Sequence, residues 1–227
     1  ATIAVLVGHL ARWYWLVWAG ALVVAVALAW HAIVLAGQVK SARRIHVGAA
    51  GFVASACCLP VGALFGAALS AGLPGQWHSA VRQAHMFTNV AGFVGLAAMG
   101  ALSVLFPAMW RTRGQDRVRL ALILAGVGVA VAAAGSLARL SWLAGVGTVV
   151  ILAGWVWLYQ GFVANALTVF RDPRGRVTYP GLSALFAVGW LIGGLAWFAV
   201  LLFGGTGDTP VLPLLLGFAA QLLIGTM

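Results

Sequence analysis

Acidic side chains are nearly absent from this chain: 227 residues hold three, Asp116, Asp172 and Asp208. None lies within a long apolar run, which excludes paired-carboxylate hydrolysis and leaves no acid for an intramembrane proton relay. Charge of either sign is scarce, at 7% of residues. A soluble domain carries roughly a quarter, so water is not the main solvent for this surface. The only cysteines, Cys57 and Cys58, are adjacent, which gives neither a disulfide framework nor a CxxC ligand spacing and reads best as packing. No Walker or dinucleotide-binding glycine pattern occurs. Ala1–Leu10 lacks the basic region of a secretory signal.

Hydrophobic residues, at 63%, supply most of the rest. Trp13–Val39, Ala84–Trp110, Leu140–Phe170 and Val177–Gly207 contain no Asp, Glu, Lys or Arg. About 20 apolar residues cross a hydrocarbon core. Backbone in lipid must satisfy its own hydrogen bonds, and long runs without alternation select helices over a barrel. The expected fold is therefore all-α: one polytopic transmembrane helical bundle over 1–227. Seven spans are expected, near 13–37, 47–71, 84–109, 119–137, 142–169, 179–203 and 210–227.

The net charge of +10 does not signal nucleic acid, because no continuous basic face could track phosphates. The basic residues cluster between apolar runs instead. Lys40, Arg43 and Arg44 follow the first span, Arg111, Arg113, Arg117 and Arg119 the third, and Arg171, Arg174 and Arg176 the fifth. Ten of thirteen thus fall on one side, expected to be cytoplasmic, with the first residues outside. The lipid bilayer is the expected first partner. A weak repeat adds to this picture. Arg12-Trp13-Tyr14-Trp15-Leu16 matches Arg139-Leu140-Ser141-Trp142-Leu143, and Gly92-Phe93 with Gly100 matches Gly217-Phe218 with Gly225. The offsets of 127 and 125 residues separate elements four helices apart, so the repeat is parallel.

Five histidines are the remaining chemistry. His46 and His78 read as boundary residues and His31 as a residue snorkelling at a helix end. His9, before Arg12, is a candidate metal ligand at the outer boundary. His85 opens the third span, and His85, Asn89, Gly92 and Leu96 form one helical stripe. An imidazole at hydrocarbon depth can offer one nitrogen to iron while the other donates a hydrogen bond. Glycines one or two turns away would admit a flat macrocycle. The same pattern also suits a histidine bonded to a neighbouring helix, with glycines serving helix packing.

The segment Arg82-x-x-His85-x-x-x-Asn89-x-x-Gly92-Phe93-x-Gly95, running to Leu105-Phe106-Pro107 and Arg111-Thr112-Arg113, resembles the low-spin-haem helix of the haem–copper oxidase superfamily. Its nearest likeness is to the NO-reductase-like and cbb3-like branch, and to membrane regions of bacterial haem–copper proteins fused to copper-oxidase domains. The resemblance covers about 30 residues closely. It implies His85 as an axial haem ligand and metal site, Arg82 as a propionate neighbour, and Asn89 and Gly92 as haem-site residues. It also implies electron transfer near the outer face in an oxidoreductase, with a redox partner or cupredoxin domain there and a respiratory complex around it. Copper is expected elsewhere in a longer chain of about twelve spans, consistent with an end inside an apolar run at Met227. The family's copper histidine, four residues before the later Gly-Phe, aligns with Pro213, and no histidine follows His85. Two alternatives stand beside the redox reading: a cofactor-free anchor or assembly subunit of a respiratory or copper-handling complex, and a metal or small-molecule permease.

Overall fold

A computed structural model describes residues 2–42, 47–70, 72–172 and 175–225. Arg43, Arg44, His46, Arg174 and Met227 lie outside the described residues. Every regular element among those described is helical. We number them α1 (Thr2–Leu10), α2 (Tyr14–Ser41), α3 (Val47–Ser70), α4 (Gly75–Trp110), α5 (Val118–Leu137), α6 (Ser141–Arg171), α7 (Tyr179–Leu202) and α8 (Pro213–Gly225).

Six of these, α2 to α7, are long and apolar enough to cross a membrane, and α8 is a shorter apolar helix. The seventh span expected over 210–227 is therefore represented by a 13-residue helix, roughly 20 Å long at 1.5 Å per residue. The span expected to open at 84 instead begins at Gly75. His85 accordingly sits nearly three turns inside α4 rather than at its start. Ala1–Leu10, given no element from sequence, contains α1, which packs against α2.

The helices are laid side by side in chain order: α2 on α3, α3 on α4, α4 on α5, α5 on α6, α6 on α7 and α7 on α8. The closest pair is α5 and α6. Gly128 stands where a Cβ would come within 2.7 Å of the Gly147 carbonyl, and a Cβ on Gly147 would strike the Ala132 backbone. In lipid the hydrophobic effect does not drive helices together, so close backbone approach through small residues supplies the contact. Larger side chains fill the wider gaps. Phe106 stacks on Phe162 at 4.1 Å, and Trp155 meets Phe218 edge-on at 6.0 Å.

Two helices contain a wider turn. Phe87–Gly95 in α4 and Pro213–Ala220 in α8 are π-helical. Such segments re-aim the side chains that follow and often mark functional positions.

Candidate functional site

His85 lies on the last α-helical turn before the π segment of α4. Its stripe faces α3, which runs antiparallel beside it and presents small residues at matching heights: Gly66, Gly62, Cys58 and Ser55. The His85 ring edge rests on Gly66, whose Cβ would lie 3.2 Å from Cε1. His85 Nδ1 is 2.9 Å from the Gly62 carbonyl oxygen. A carbonyl can only accept, so Nδ1 carries the proton and donates. Asn89 Nδ2, 3.2 Å from that nitrogen, therefore donates instead to the His85 carbonyl at 3.0 Å. In the neutral ring a proton on Nδ1 leaves Nε2 with its lone pair, and Nε2 makes no hydrogen bond among the described residues.

Gly62 is a notch. A Cβ there would fall on the Asn89 amide. Gly92 is another: its Cβ would lie 2.7 Å from Cys58 Sγ and 3.3 Å from Val129. Its space is already taken by α3 and α5, so Gly92 serves helix packing and does not hold room for a macrocycle. Within the π segment, buried Ser55 donates to the Phe93 carbonyl at 2.7 Å. The result is a polar seam between α3 and α4 in which each hydrogen bond crosses or braces the helix contact.

The other candidates are spread out. Arg82 is exposed one turn before His85 and forms no ion pair among the described residues. His9 is exposed on α1, which packs against α2, whereas His85 packs against α3. His31 and His78 are exposed, His31 ten residues before the end of α2 and His78 in the first turn of α4. Among the described residues no three His, Cys, Asp or Glu side chains converge on a point. From Met86 onward α4 also exposes apolar side chains beside the seam, Met86, Val90 and Val94. An axial haem ligand needs a neutral imidazole with a free nitrogen and a fixed second nitrogen. His85 has one ring nitrogen held by Gly62 and the other without a hydrogen bond among the described residues, and Arg82 stands one turn away as a cation.

Sequence reasoning found His85, Asn89 and Gly92 but not their partners on α3. A signal was there: Gly48, Gly51, Ser55, Gly62 and Gly66 recur at helical spacing and form a small-residue ridge. No family model, curated protein or solved structure matches the chain.

Proposed function

We propose that this multi-pass membrane domain holds a haem through His85 and passes electrons near the outer membrane face, as part of an oxidase-like redox protein. One observation carries the reading: the Nδ1–H to Gly62 carbonyl bond leaves Nε2 as an unshared ligand nitrogen. Haem, when bound, supplies reversible one-electron chemistry. The chain's residues supply the rest. Gly62 fixes the tautomer and ring plane, and Asn89 braces the turn by bonding the His85 carbonyl. Arg82 offers a cation to the carboxylates of the group. Asn89 and Gly92 then act by setting where His85 stands, not by touching the group. A cupredoxin-like or other redox partner would meet the outer face, in a bacterial plasma membrane, and any copper would lie in further sequence.

The helical repeat supports an architecture of two like four-helix units. Trp13 donates to the Gly8 carbonyl at 2.7 Å and Leu140 to the Gly135 carbonyl at 2.8 Å. Both turns place an arginine in the left-handed region, Arg12 at φ 58° and Arg139 at φ 59°. Gly8 then abuts Val17, as Gly135 abuts Ala144. Further on, Gly92 meets Cys58 and Gly100 meets Gly51, while Gly217 meets Trp190 and Gly225 meets Ser183. In each unit the two glycines face the preceding helix, and an offset of 125 residues carries the first π segment onto the second.

A second reading has its own observation. Cys58 and Val129 fill the space beside Gly92, and Asn89 fills the notch at Gly62, as in a cofactor-free bundle acting as an anchor or assembly subunit. An optical spectrum separates the two. The purified protein should show haem bands that are lost in His85→Ala while the variant still folds. Bands unchanged in that variant overturn the assignment, and protein without haem iron that co-isolates with an oxidase establishes the anchor reading.

A further inference from the structure

At the sparsely charged ends of the helices, a recess of about 240 Å³ opens between the first turns of α4 and the α5–α6 turn. Gln76, Ser79 and Gln83 line one side and Ser136, Arg139 and Ser141 the other. Arg139 is held in place from two directions. Its backbone sits in the left-handed region at φ 59°, locked by its N–H to Ser136 O at 3.0 Å and by Leu140 N–H to Gly135 O. Its side chain crosses to α4, where Nη1 donates to Gln76 Oε1 at 2.7 Å and the guanidinium lies 5.0 Å from the Trp77 ring centre.

A guanidinium has five N–H donors, and Gln76 takes one. No acidic residue lines the recess, and Arg139 forms no ion pair among the described residues. The field around it is positive in other respects. α4 and α6 both begin at this recess, and neither has a side-chain cap or an acid in its first turn. Gln83 and Ser141 contribute further polar groups that make no side-chain hydrogen bond among the described residues. The recess thus has fixed positive charge, free donors, room for a small tetrahedral anion with part of its substituent, and no internal counter-ion. Exposed Trp77 and Trp142 flank it, as aromatic residues do at a bilayer boundary.

We propose that this recess is a phosphate-binding site, and that the phosphate is that of an anionic phospholipid headgroup seated between α4 and the α5–α6 turn. Arg139 provides a planar fork that phosphate oxygens can meet with two bonds, and Gln76 and Trp77 keep the fork aimed. The site is independent of the haem reading, because none of its residues belongs to the His85 seam.

The test uses the purified full chain in a neutral detergent, with thermal unfolding followed against added short-chain phosphatidylglycerol, diacylglycerol of the same chains, or inorganic phosphate. Phosphatidylglycerol should raise the midpoint saturably and diacylglycerol should not. In Arg139→Gln the apparent affinity should fall about tenfold, the scale of one lost charge-assisted contact. Arg139→Lys should keep part of the binding. Gln83→Leu, which leaves the turn untouched, should weaken binding without changing the lipid-free midpoint. Inorganic phosphate binding as tightly as the lipid supports the phosphate site and assigns it to a soluble anion. No saturable shift with either phosphate source, or wild-type affinity retained in Arg139→Gln, overturns the proposal.

Discussion

Asn89 and Gly62 show how one residue's size sets another's position. The Asn89 amide occupies the volume where a Gly62 side chain would be, and its Nδ2 holds the His85 carbonyl at 3.0 Å. Adding a methyl group at Gly62 displaces that amide and breaks the bond, with a cost of about 1 kcal/mol for one modest hydrogen bond in a membrane protein. Gly62→Ala should therefore destabilise the protein by about that amount, and the penalty should nearly vanish when Asn89→Ala is already present. A double-mutant cycle on thermal or denaturant unfolding reads this directly, and equal costs in both backgrounds would show that the notch and the amide are not coupled. The stripe of His85, Asn89 and Gly92 was legible because residues four and three apart share a helix face wherever the helix begins. The small-residue ridge on α3 was also legible, but not which of its residues stands opposite the stripe. Gly62 and Cys58 reach it only through the packing of α3 on α4, and nothing local in either segment specifies that register.

At the scale of elements, the spans followed from uninterrupted apolar length, and their ends were hard to read where polar residues continue a helix. Gln76, Trp77, His78, Arg82 and Gln83 read as a connection, yet Gly75–Ala84 is the first part of α4. The helix persists because its polar face meets the α5–α6 turn, where Arg139 bonds Gln76. The π segments also escaped, since a widened turn leaves no mark in hydrophobic spacing. The α5–α6 contact makes the sharpest expectation at this scale. Gly147 has the Ala132 backbone where a side chain would go, and backbone cannot swing aside as a side-chain tip can. Gly147→Leu should force the pair apart at a cost at the upper end of the roughly 1–3 kcal/mol typical of overpacking. The expected result is a lower unfolding midpoint and faster proteolysis between α5 and α6. Gly126→Leu, at a position with nothing within 4 Å, should leave both unchanged, and equal effects of the two would count against the close approach.

At the scale of the molecule, helices laid in chain order must alternate in direction, so the connections alternate between two faces. Arg111, Arg113 and Arg117 precede or open α5, while the α7–α8 connection carries only Asp208. Three crossings, α5, α6 and α7, separate these two loops, an odd number that puts them on opposite sides of a bilayer. From the asymmetry in Arg content, the arginine-rich loop is expected on the cytoplasmic side. With Cys57 and Cys58 replaced by alanine, Gly114→Cys and Thr206→Cys provide one exposed thiol on each loop, and both parent residues are exposed. A membrane-impermeant maleimide added to intact cells should label the variant at 206 and spare the one at 114 until the membrane is opened. Labelling of both from one side would contradict the odd number of crossings. Labelling with the sides exchanged would keep the fold but reverse its orientation, and would move the His85 seam and the Arg139 recess to the cytoplasmic leaflet.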